Sequence, residues 1–147
     1  MKKVILYTDG ACSGNPGAGG WAAILKYKDV EKELFGAEPD TTNNRMELMA
    51  VIEGLSKLTL PCHVDVYSDS AYVVNAVLND WLNQWVLNGW KTASNKPCKN
   101  VDLWERLLEK LDYHDVEFHK VAGHSDDIMN NRCDKLAVAA YKALMNT

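Results

Sequence analysis

Beyond residue 41 the apolar residues change their period, and that change constrains the fold more than any other feature of the chain. Residues 3 to 8, KVILYT, are an apolar, β-branched run ended by Asp9-Gly10, which reads as a buried strand followed by a turn. The glycine-punctuated stretch GACSGNPGAGG comes next, and then WAAILKYK and EKELFGA, two further strands joined by a polar turn at Lys28 to Val30. From Thr42 to Leu58 the spacing becomes helical, with Met46, Met49 or Ala50, and Leu55 on one side and N-cap candidates at Thr41 to Asn44. After Pro61, VDVYS alternates as a strand, Asp69 follows it, and Ser70 starts another helix. Helical segments are predicted over 71 to 78, 81 to 88 and 101 to 111, with the loop NGWKTASNKPCKN before the last. VEFHKVAG then reads as a strand and NNRCDKLAVAAYKALM as a helix of small apolar residues.

A meander of strands followed by alternating helices and strands predicts an α/β fold, a mixed sheet with helices on both faces. Ligands on such sheets bind outside the carboxyl ends of the strands. Asp9 and Asp69 both fall there if their strands are parallel neighbours, which a right-handed crossover through the 42 to 58 helix allows.

With 147 residues the chain has length for one domain. Its apolar runs fall short of the ~20 residues that cross a bilayer, and Asp9 cuts the only signal-like run, so a cytoplasmic protein is expected. Cys12, Cys62, Cys98 and Cys133 form no CxxC pair, and free thiols are expected. A net charge of -4 argues against a general polyanion-coating protein. Between Asp80 and Asp102, however, the charges are Lys91, Lys96 and Lys99, set among Trp81, Trp85 and Trp90. That stretch is either a nucleic-acid surface or a solvated loop with its tryptophans packed inward.

Gly17, Gly19 and Ala22 match a dinucleotide fingerprint in form, but they lead into a strand where that motif must open a helix. The acids carry more weight. Asp9, Glu47, Asp69 and Asp134 lie at element boundaries or in first helical turns, where each has a bland role as turn residue, capping-box partner, cap or dipole complement. Brought together at one end of the sheet they would repel unless a divalent cation compensated them, and an all-carboxylate site suits magnesium or manganese. His124, in VAGHSDDIMNN, is placed to relay protons. A zinc site from His119, His124 and Cys133 matches no common ligand spacing.

The blocks YTDGACSGNPGAGGWA, TTNNRMELMA, YSDSAYV, NGWKTASNKPCKNVDLW and VAGH followed by NNRCDKLA resemble, in order and spacing, those of bacterial type 1 ribonuclease H. The resemblance covers essentially the whole chain, and several independent blocks in register make it specific. It implies the ribonuclease H-like fold, a five-stranded mixed sheet with helices on both faces, as one catalytic domain over residues 1–147. It also implies a monomer that cleaves the RNA strand of an RNA–DNA hybrid endonucleolytically, leaving 3′-hydroxyl and 5′-phosphate ends. Two magnesium ions per site are implied, with manganese able to substitute.

Carried over residue by residue, the resemblance makes Asp9, Glu47, Asp69 and Asp134 the metal-binding carboxylates and His124 an aid to proton transfer and product departure. Two metals ~4 Å apart serve the attacking water and the leaving oxygen together. In this scheme Asp9 bridges both ions, Glu47 and Asp69 serve the water-side ion, and Asp134 serves the leaving-group ion. Cys12, Gly14, Asn15, Asn43 and Asn44 fall at the wide minor groove of the hybrid. Thr42 and Asn100 match positions holding a DNA phosphate, and Trp81 one against a DNA sugar, with Lys91, Lys96 and Lys99 supplying charge. Val86, Leu87, Ala71, Ala122 and Asn131 depart from common family residues, and none of them replaces a metal ligand. A non-catalytic binding module of the same fold would gain nothing from four repelling acids. The tryptophan-rich segment and the TTNNRMEL block argue against a transposase-like or resolvase-like nuclease.

Overall fold

In the computed structural model, which describes residues 1–122 and 127–147, five strands form one sheet in the order β3-β2-β1-β4-β5. Strand β1 spans Lys2–Cys12, β2 Gly17–Tyr27 and β3 Val30–Thr41, and these pair antiparallel as a meander. Helix α1 (Asn43–Ser56) crosses to β4 (Cys62–Ser68), which lies parallel to β1 from Lys2↔Cys62 to Tyr7↔Tyr67. Helices α2 (Ala71–Leu78), α3 (Trp81–Leu87) and α4 (Val101–Tyr113) lead to β5 (Asp115–Lys120), parallel to β4, and α5 is Ile128–Met145. The expected mixed sheet and both crossovers are present, and no helix among the described residues is long and apolar enough to cross a membrane.

Alternation along the strands decides which helix covers which face. Val4, Leu6, Ala23, Leu25, Val64, Val66 and Phe118 point to one side, against Leu48, Val51, Ile52 and Leu55 of α1 and Leu103, Trp104 and Leu107 of α4. On the other side Ala22 and Ile24 meet Cys133 and Ala137 of α5. Helix α5 lies over β1, β2 and β3, and Arg132 fastens it to β3 by ion pairs to Glu31 and Glu33 at 2.8 and 2.9 Å.

Local boundaries differ from the sequence reading for physical reasons. The turn expected at Asp9-Gly10 is absent: β1 continues to Cys12 because Asp9↔Ala22 through Cys12↔Gly19 pair with β2. Of the glycines expected to punctuate the chain, Gly17, Gly19 and Gly20 belong to β2, where a Cβ on Gly20 would strike the Ala137 carbonyl of α5. Strand β5 stops at Lys120, three residues before the end expected for it, and α5 begins two residues early on its Asp127 cap, whose side chain accepts from the Asn130 N–H.

Candidate active site

Asp9 sits in β1 two residues beyond Tyr7, its last partner position on β4. Its carboxylate Oδ1 accepts from the Gly10 N–H at 2.9 Å. The same N–H donates to Glu47 Oε1 at 2.6 Å. Glu47 reaches this point because α1 is capped at Thr42, whose Oγ1 accepts from Arg45 N, so Glu47 lies in the helix's second turn facing the sheet. It is buried, with Oε2 lacking any hydrogen-bond partner, and therefore does not act as the capping-box residue that its spacing from Asn44 allows. Asp69 follows β4, and the cap of α2 is its neighbour Ser70, whose hydroxyl accepts from Val73 N at 3.3 Å. Capping thus accounts for neither Glu47 nor Asp69.

Candidate ligand oxygens of Asp9, Glu47 and Asp69 all lie within 4.8 Å of one another. They line a cleft of about 430 Å³ with Gly10, Asn43, Asn44, Ser70, Ala71, Tyr72 and Asp134. Asp134, exposed in the second turn of α5, stands on the cleft wall outside that close trio. Burial is the main cause that lifts the Asp9 carboxyl to about 7; the hydrogen bond from Gly10 and the contact with Glu47 oppose it, while Asp69 and Asp134 add to it. Glu47 is pushed well above the usual carboxylate range by burial first and by Asp9 next. Buried acids that repel one another, one with an orphaned oxygen, fit a divalent cation, which would satisfy that oxygen and draw both acids back to the ionised form.

Of the expected substrate contacts, Asn43 and Asn44 line the cleft and are exposed. The Asn43 N–H donates to Asn15 Oδ1 at 3.1 Å, which joins the loop after β1 to the start of α1. The Cys12 thiol donates to Gly14 O at 2.6 Å. Asn100 accepts from Arg45 and donates to Tyr72 Oη, the oxygen that also receives the Trp104 indole N–H at 2.9 Å. Sequence reasoning missed this frame. Arg45 stands inside the TTNNRMEL block, and it also forks onto Asp102 at 3.0 and 2.8 Å.

The two readings of the tryptophan-rich stretch divide between residues. Trp85 packs edge-on to Trp104 at 5.6 Å and Trp90 is half-buried, whereas Trp81 is 44% exposed and shares a second cavity with Lys91. Lys91, Lys96 and Lys99 are exposed. Val86 and Leu87 are exposed too, Leu87 at 87%. His124 lies outside the described residues. Cys133 is buried with Ala22 and Ile24 while His119 bonds Asp65, so these two do not share a zinc site. Gly17 and Gly19 lie in β2 and open no helix.

A fold of this topology with converging acids at the end of β1 and β4 defines a class of metal-dependent nucleic-acid enzymes, and comparison with known proteins agrees. The chain belongs to the RNase H family, whose pattern it matches over residues 1–142. It is 59% identical over 142 residues to the ribonuclease H of Chlorobium phaeobacteroides strain BS1, covering 97% of each chain. Among solved structures, LC9-RNase H1, described as a type 1 RNase H with the type 2 active-site motif, superposes with a TM-score of 0.86 at 30% identity, over 97% of this chain and 74% of that one. LC11-RNase H1 in complex with an RNA/DNA hybrid shares the fold, with a TM-score of 0.70 at 19% identity over 97% and 99% of the two chains.

Proposed function

We propose that this protein hydrolyses the RNA strand of RNA–DNA hybrids endonucleolytically, leaving 3′-hydroxyl and 5′-phosphate ends. The observation that carries the reading is the trio Asp9, Glu47 and Asp69, with ligand atoms within 4.8 Å and Glu47 Oε2 buried without a partner. Magnesium, at two ions per site with manganese able to substitute, would supply activation of water and stabilisation of the leaving oxygen.

The residues of the chain divide the remaining work. Asp9 and Glu47 are held in place by one backbone N–H and would ligate through their remaining carboxylate oxygens, with Asp69 and Asp134 completing the set. Four acids would hold a phosphodiester at the cleft through cations only, so affinity for the hybrid has to come from elsewhere on the surface. Exposed Asn43 and Asn44 beside the acids suit hydrogen bonds to 2′-hydroxyls in a shallow minor groove, and Gly14, Asn15 and Cys12 extend that surface. Thr42, Asn100, Trp81, Lys91, Lys96 and Lys99 are assigned to the DNA strand and its phosphates. His124 is assigned to proton transfer and product departure on the family resemblance. All four acids come from one chain, which supports action as a monomer, and we place the enzyme in the cytoplasm.

The test is cleavage of labelled RNA offered as hybrid, as RNA duplex and as single strand, with magnesium and with chelator. Cutting confined to the hybrid with magnesium is expected; equal cutting of all three RNAs, or cutting under chelator, would overturn the proposal.

A further inference from the structure

Among the described residues helix α5 packs over β1 to β3, and the outer face of β4 and β5 carries mostly polar side chains. On β4 the buried residues Val64 and Val66 alternate with half-buried His63, Asp65 and Tyr67, which therefore share the uncovered face. Strand β5 sets Asp115 opposite His63, Glu117 opposite Asp65 and His119 opposite Tyr67. Three carboxylates and two imidazoles thus occupy adjoining cross-strand positions. Among the described residues no Lys or Arg forms an ion pair with any of the three acids, although Lys3 is the register partner of His63 on β1.

Their hydrogen bonds are ordered in the way a coordination site requires. His63 Nδ1 lies 2.8 Å from Asp115 Oδ2, which fixes the ring and leaves Nε2 as the free nitrogen. That Nε2 is 3.6 Å from Asp65 Oδ2, too long for a hydrogen bond and close to the separation of two ligands on one ion. The other Asp65 oxygen is 2.8 Å from His119 Nε2, and the His119 ring is stacked on Tyr67 at 4.7 Å. Glu117 makes no hydrogen bond or ion pair with another described residue, and ligand atoms of His63, Asp65 and Glu117 lie within 4.8 Å of one another. Each of the two inner ligands has its own supporting partner, and one ligand arm is unengaged.

We propose that His63, Asp65 and Glu117 form a second cation site, separate from the acidic cleft, that takes a divalent transition ion of the zinc type. An imidazole with two carboxylates selects against magnesium, which prefers oxygen ligands, and for ions later in the divalent series. Bridging β4 to the edge strand β5, the ion would act as a clamp on the sheet and stabilise the folded chain by mass action.

The test is titration of the full chain with zinc, in the presence of excess magnesium and on the Asp9→Asn background so that the cleft does not compete. One zinc is expected per chain at micromolar concentrations, with melting raised by roughly 5 to 10 °C at a hundredfold excess over Kd. Adding His63→Ala should abolish binding, and Asp115→Asn should weaken it about 10- to 100-fold. Glu117→Gln, at an exposed position, gives the same test should His63→Ala fail to fold. Cobalt in place of zinc should show no thiolate charge-transfer band. Absence of micromolar binding, binding unchanged in His63→Ala or in Glu117→Gln, or a thiolate band from a cysteine site would each overturn the proposal.

Discussion

Asp9 and Glu47 accept hydrogen bonds from one and the same N–H, that of Gly10, at 2.9 and 2.6 Å. A single amide therefore fixes two carboxylates from different elements, one on β1 and one on α1. Replacing Asp9 by Asn should remove cleavage, by about 10³-fold or more, because the residue is central to the acidic trio. It should also change the stability of the metal-free protein. The Asp9 carboxyl is raised to about 7 in the fold, so its contribution is present below the unfolded value of about 4 and is lost as pH rises through 7. Under chelator the wild type should lose stability between about pH 4 and 7 relative to Asp9→Asn. Parallel denaturation curves with no such divergence would contradict the coupling.

Gly10 is the second test. A Cβ there would stand 2.5 Å from the Glu47 nitrogen and 2.6 Å from the Met46 carbonyl carbon, both backbone atoms that cannot swing aside. Gly10→Ala should cost about 3 kcal/mol and displace Glu47, with loss of activity. Gly89→Ala is the comparison: it meets nothing within 4 Å and pays only for its φ of +64°, about 1 kcal/mol. Urea midpoints that ranked the two variants the other way would refute the close approach of β1 to α1.

That glycine also shows how much the sequence discloses. The helix that begins at Asn43 was legible from its apolar periodicity, the crossover through it allowed the parallel pairing of β1 with β4, and the motif blocks singled out the four acids that line one cleft. The continuation of β1 through Asp9-Gly10 was not, since an Asp-Gly pair has turn composition and the glycines opposite it offer no strand pattern. What makes that segment a strand is its pairing with β2, from Asp9↔Ala22 to Cys12↔Gly19, a contact between elements that no local pattern announces. The Arg45–Asn100–Tyr72–Trp104 frame and the His63, Asp65, Glu117 group were equally hidden, because strand register and helix docking bring their members together.

His114 gives a pH signature remote from the cleft. The ring is buried, with Nδ1 accepting from Cys62 N–H at 3.1 Å and Nε2 at 3.2 Å from the Leu55 carbonyl, an arrangement that needs the neutral form. Burial holds its pKa below the ordinary imidazole value. A depressed histidine contributes stability that is present above about pH 6.5 and lost as pH falls through the folded value. Acidification from pH 7 to 5 should therefore cost the wild type more stability than it costs His114→Phe. Equal losses in urea titrations at the two pH values would rule the neutral ring out.

Substrate affinity is expected to depend on charge more than on the acids. Replacing Lys91, Lys96 and Lys99 together by Ala should raise KM more than it lowers kcat, since such contacts act on ground and transition states alike. The slope of log affinity against log salt should fall by up to about 2 to 3, at roughly 0.7 to 0.9 per lost phosphate contact. An unchanged slope would mean that this segment does not touch the hybrid.

Strand β4 ends at Ser68 while β1 runs on to Cys12, paired from Asp9 onward with β2 alone. The Gly10 amide is free for Asp9 and Glu47 because no strand carbonyl stands before it on that side. Function in this fold is thus encoded in a mismatch of lengths as much as in the identity of side chains. An insertion that extended the β1–β4 ladder by two residues would keep every acid in the chain, yet it would spend that amide on the ladder and carry Asp69 out of reach, silencing the enzyme by geometry alone.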